Sequence, residues 1–103
     1  MDRIFQLNTF LKDNPDDAFV QHALALEYIK LGDEERAKQL FENILNKDEN
    51  YIGSYYHLAK LLERQNETSL ALQWYEKGMA MAKKAGDQHA YNELQMAYDD
   101  LVD

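Results

Sequence analysis

No cysteine occurs among the 103 residues, so neither a disulfide nor a thiolate metal site can hold this chain together. Proline appears once, at Pro15, and glycine four times, at Gly32, Gly53, Gly78 and Gly86, too scattered for a phosphate-cradling loop of either common kind. No apolar run approaches the ~20 residues of a membrane-spanning helix. Basic residues are the minority, eleven against nineteen acids, giving a formal charge of -8 and a pI near 4.7. Such a balance repels phosphate backbones and anionic lipid at long range, which argues against nucleic acid and against membrane surfaces as partners. Strand-type alternation with a period of two is also missing. The start, Met1-Asp2-Arg3-Ile4-Phe5-Gln6, lacks the basic and then apolar pattern of a secretory signal, so a cytoplasmic location is expected.

Hydrophobic residues make up 46% and aromatics 12%, too many for a disordered segment and enough for one modest domain. Sliding the chain along itself by 34 residues superposes two stretches. Leu24 and Ala25 return as Leu58 and Ala59, Ala37 as Ala71, and Gln39 and Glu42 as Gln73 and Glu76. Tyr28 pairs with Leu62, Phe41 with Tyr75, and Leu45 with Met79. Each period holds two helical patterns and a break. One helical hairpin buries only one side of each helix, so such units gain stability by stacking, and the period points to a helical solenoid.

Punctuation divides the chain into six helical segments. The first runs from about Asp2 to Lys12, with Ile4, Leu7 and Leu11 on one face. The second starts at Pro15-Asp16-Asp17, where proline tolerates a first helical position and acids suit the positive helix end, and reaches Leu31 before Gly32-Asp33. The third covers about 34–47 and the fourth about 51–65, breaking at Asn66, which tolerates the left-handed conformation that Gly32 supplies one period earlier. The fifth runs from Thr68 to about Lys84, and the sixth from Gln88 to Leu101 with Tyr91, Leu94, Tyr98 and Leu101 on one stripe. Connections of two to four residues make neighbouring helices antiparallel.

No constellation of catalytic type is present, so the chain reads as non-enzymatic and without cofactor or metal. His22, His57 and His89 are not paired at metal-ligand spacing. Ser54 and His57 lie one turn apart, but no third group orients the imidazole. The acids Asp16-Asp17, Asp33-Glu34-Glu35, Asp48-Glu49 and Asp99-Asp100 sit at segment ends, where capping and dipole compensation account for them.

Leu24-Ala25, Tyr28, Gly32, Ala37, Phe41 and Ile44, followed by Tyr55, Leu58-Ala59, Leu62, Ala71, Tyr75 and Gly78, resemble the tetratricopeptide repeat signature. Small residues at positions 25, 37, 59, 71 and 78 allow close helix approach, while Tyr28, Phe41, Leu58, Trp74 and Tyr75 fill the space between pairs. Gln21 stands where the family favours tryptophan, Glu49 and Lys83 where it favours proline, and Asn66 where it favours glycine. The resemblance implies an all-α fold of antiparallel helix hairpins stacked as a short right-handed solenoid. It implies a single domain over 1–103: a leading half-repeat helix in 1–14, repeats at 18–51 and 52–85, and a capping helix in 87–103. It further implies a concave groove lined by the first helix of each pair, which selects Phe19, His22, Leu26, Ile29 and Lys30 together with Tyr56, His57, Lys60, Glu63 and Arg64.

That set puts an apolar ledge beside three cations in an acidic molecule, which suits a protein or peptide partner with hydrophobic and acidic character. A plainer alternative has Phe19 and Leu26 packed against the end helices and the cations paired with Glu27 and Glu63. His22, Leu26 and His57 lack the clamp that some family members use for a C-terminal carboxylate, although both histidines would add positive charge below about pH 6.5. The expected state is a monomer or weak homodimer. A second functional reading makes the chain a self-associating structural element, with Tyr91, Met96 and Tyr98 of the last helix as the seam.

Overall fold

The computed structural model describes residues 2–103, and every regular element among them is an α-helix. The order is α1 (Arg3–Asp13), α2 (Ala18–Leu31), α3 (Glu34–Lys47), α4 (Gly53–Arg64), α5 (Thr68–Ala85) and α6 (Gln88–Val102). An all-α helical repeat is therefore what the 34-residue period encodes. The chain divides into two compact units, the break falling after Lys47, and each is taken here separately.

In the first unit α2 packs along both α1 and α3. Ala25 and Ala37 are fully buried and allow the close approach of α2 and α3, with Leu24, Phe41, Ile44 and Leu45 filling the interior. α1 buries none of its residues, and Phe5 and Phe10 remain about half exposed at 54% and 46%. The start of α2 differs from the expectation. Pro15 and Asp16 form a turn, and Asp17 is the N-cap, accepting the Val20 N–H at 3.0 Å, so the helix begins at Ala18. Gln21, in the place of the family's tryptophan, is buried, and its Nε2 donates to the Pro15 carbonyl at 2.6 Å. An amide thus ties the turn to the helix where an indole would have filled space.

In the second unit α5 packs against α4 and α6, and α4 also touches α6. Ala59 and Ala71 are fully buried, as are Tyr55, Leu58, Leu61, Leu62 and Tyr75. Gly78 marks the tightest approach: a Cβ there would lie 2.7 Å from Tyr55 Cβ and 3.0 Å from Leu94 Cδ1. Trp74 is half-buried, tilted against Tyr55 with ring centroids 6.0 Å apart and with Lys77 Nζ 5.9 Å from its own centroid. α4 begins at Gly53 instead of Tyr51 because the chain from Asp48 is occupied by turns: Asp48 Oδ1 accepts the Asn50 N–H and the Asp48 carbonyl accepts that of Tyr51. Asn66 has φ 62, the left-handed conformation that Gly32 takes at φ 83.

Candidate functional site

On α2 the exposed ridge follows directly from what its other side buries. Gln21, Leu24, Ala25 and Tyr28 turn inward, which leaves Phe19, His22, Leu26, Ile29 and Lys30 on the remaining surface. Phe19 is the most open, at 74% exposure, whereas His22, Leu26 and Ile29 are half-buried. The His22 ring meets Phe41 edge-on, with centroids 5.4 Å apart. Lys30 Nζ lies 3.1 Å from Glu27 Oε2, and Arg3 Nε approaches the same oxygen at 3.8 Å.

On α4 the corresponding ridge is a connected cluster. Tyr56 and His57 meet at right angles with centroids 5.6 Å apart, and Lys60 Nζ sits 5.8 Å from the Tyr56 centroid. Lys60 also approaches Glu63 Oε2 at 3.6 Å, and that oxygen accepts the Tyr75 hydroxyl from α5. Arg64 is exposed on the last turn. The ten residues thus form two sets, five on each helix, and none is fully buried. Lys30 pairs with Glu27 and Lys60 with Glu63, the pairing that the plainer alternative gave the cations, but Phe19 is not packed away as that alternative had it. In both pairs the carboxylate is the more covered partner and the ammonium the more open one, so each lysine keeps a side from which a further carboxylate can approach.

Protonation follows from burial. The Tyr75 phenol is pushed well above its ordinary range, first by burial and then by its hydrogen bond and proximity to the Glu63 carboxylate. His57 is pulled below the ordinary histidine value by burial, which outweighs Glu93, and Arg64 adds to the lowering. The expected positive charge on His57 below about pH 6.5 therefore arrives only at lower pH. Two partners of the site, Tyr75 and Glu93, were not visible in sequence, and Glu27, expected beside a cation, is shared by Lys30 and Arg3. Tyr75 is twelve residues from Glu63 and Glu93 thirty-six from His57 (75 minus 63, 93 minus 57), so only the folding of α5 and α6 onto α4 supplies them.

Ser54 is fully buried and the half-buried His57 ring is set against Tyr56, which gives no open nucleophile. Among the described residues no group of three or more histidines and acids is arranged to hold a metal ion, and no helix is long and apolar enough to cross a membrane. On the last helix Leu94 and Ala97 are buried, Tyr91 and Tyr98 are half-buried, and Met96 is 69% exposed.

Paired helices that bury small residues at each crossing and leave a ridge of mixed aromatic and charged side chains define a helical-repeat scaffold, a class that works by presenting surface. The chain belongs to the tetratricopeptide repeat family, whose model matches residues 20–51 and 52–84. A tetratricopeptide repeat domain protein of Salinibacter ruber, solved in solution, is 40% identical and covers 84% of this chain and 88% of its own, with a TM-score of 0.81. A Bordetella parapertussis protein of known solution structure is 25% identical, with a TM-score of 0.85 over 99% of this chain and 89% of its own. A TPR repeat-containing protein of Pseudomonas aeruginosa is 28% identical over 88 residues, 85% of this chain and 84% of that protein. Repeats of this family generally mediate protein–protein interaction and typically carry no chemistry of their own.

Proposed function

We propose that the chain binds protein or peptide segments through the ridges of α2 and α4, each taken as a surface of its own unit, and that such a segment carries an apolar anchor flanked by acidic residues. The observation that carries the reading is the α4 cluster, in which an ammonium stands over an aromatic ring and both remain reachable. An aromatic body accepts an apolar side chain, and the ammonium beside it accepts a carboxylate from its open side. The exposed Phe19 on α2 adds apolar surface of the same kind. Helices fixed by their own buried residues hold these groups in place beforehand, so little receptor ordering is lost on binding.

A double variant, Tyr56→Ala with Lys60→Glu, removes the ring and reverses the charge while leaving the buried face of α4 intact. Its helical circular dichroism should match the parent chain. Quantitative affinity capture should show partners depleted at least about tenfold, a loss of roughly 1.4 kcal/mol. Partners retained equally by both proteins would remove the α4 ridge from the binding surface.

A further inference from the structure

The first unit has a concave feature on the other side of α2 from its ridge. It is a groove of about 470 Å³ between α1 and α3, with α2 as its floor. Leu24 and Tyr28, both buried, and the half-buried Leu40 form the apolar base. The rim is carboxamide: Asn8 from α1, and Gln39 and Asn43 from α3. At one end stands Arg36, its guanidinium 5.5 Å from the Tyr28 centroid and its Nε 3.5 Å from Asp33 Oδ2. Asp33 Oδ1 meanwhile caps α3 by accepting the Arg36 N–H, so one aspartate holds both the backbone and the side chain of Arg36. In a chain with nineteen acids, none lines this groove.

We infer that this groove is a binding site for an extended peptide segment bearing one apolar side chain next to a carboxylate. Spacing supports the extended form. Gln39 and Asn43 are four residues apart on α3, about 6 Å along its axis, and alternate residues of an extended strand are separated by about 6.6 Å. Each carboxamide offers a donor and an acceptor, which is what successive peptide groups require. The half-buried Leu40, with the edges of Leu24 and Tyr28 beside it, gives an apolar base for one side chain in an open groove. Among the described residues Arg36 is the one charged side chain in the lining; its Nε is turned to Asp33 and its side chain is otherwise open, which leaves the guanidinium accessible to a carboxylate on the ligand.

Comparison with the second period separates scaffold from site. Leu24 and Gln39 recur 34 residues later as Leu58 and Gln73, but Tyr28, Arg36 and Asn43 become Leu62, Leu70 and Lys77. The ring, the guanidinium and one of the amides are thus particular to the first unit and are not demanded by the repeat.

The test uses the complete chain carrying Tyr56→Ala and Lys60→Glu as bait, so that failure of the α4 reading cannot be mistaken for failure of this one. A random seven-residue peptide library selected on it should enrich sequences with an apolar residue within two positions of aspartate or glutamate. Enriched peptides, labelled with fluorescein and measured by anisotropy, should bind at least about tenfold more weakly to Arg36→Glu and to Arg36→Met, and about three- to tenfold more weakly to Gln39→Ala with Asn43→Ala. Arg36→Met keeps an apolar stem over Tyr28, so its loss reports charge and not packing. No enrichment over blank resin, enriched peptides without an acid, or affinities within twofold on Arg36→Glu would each overturn the assignment.

Discussion

At the scale of single residues, Gly78 and Gly32 show two different demands for the same side chain. Gly32 has open space around it and is held to glycine by its φ of 83 alone. Gly78 lies inside α5, where alanine would gain about 1 kcal/mol of helix propensity. There a new Cβ meets Tyr55 Cβ at 2.7 Å, an atom fixed to the α4 backbone that cannot swing away, and Leu94 Cδ1 at 3.0 Å from α6. Overpacking typically costs about 1–3 kcal/mol and is the larger effect at so rigid a contact. Gly78→Ala should therefore lower the urea midpoint despite its better helix propensity. A midpoint equal to or above that of the parent chain would show that α4 and α6 can separate without cost.

Among the elements, aspartate serves in opposite senses at the two ends of helices. Asp2, Asp17, Asp33 and Asp87 accept backbone N–H groups from Phe5, Val20, Arg36 and Ala90 at 2.8–3.2 Å, which for Asp17 and Asp33 is the capping role read from the sequence. Asp99 and Asp100 lie in the last turns of α6, next to the negative end of the dipole and without a basic residue in the last turn, so compensation does not explain them. Asp17→Ala should cost about 0.5–2 kcal/mol while Asp17→Asn, which still caps, costs far less. Asp100→Asn should raise the melting temperature, and thermal melts followed by circular dichroism at 222 nm decide both signs. The six segments were legible because glycine, asparagine and aspartate punctuate them chemically. The two starts that shifted, at Ala18 and Gly53, follow turns whose side chains take the backbone donors first, a competition invisible to periodicity.

For the whole molecule, the ridge residues were named through the resemblance to the repeat family, yet their partners were not, since Glu63 meets Tyr75 and His57 senses Glu93 only through tertiary packing. The same packing governs stability in alkali. Tyr55 is fully buried, donates its hydroxyl to the Glu49 carbonyl at 2.6 Å, and is pushed up to about 12 by burial, with the Glu49 and Asp48 carboxylates adding to the shift. The unfolded phenol ionises near 10.0, and a group that binds its proton more tightly when folded stabilises fully below the unfolded value and loses that contribution as pH rises through the folded one. Tyr75 is shifted in the same direction, so the two act together. Urea midpoints should be flat from about pH 8 to 9.5 and fall between about pH 10 and 12, with phenolate absorbance at 295 nm from these two tyrosines appearing only as the chain unfolds. Tyr55→Phe should lose about 1 kcal/mol at pH 8 with its hydrogen bond, and should fall less steeply above pH 10 because one of the two late-ionising phenols is gone. If the variant declines as steeply as the parent chain, ionisation of Tyr55 is not what unfolds the protein in alkali.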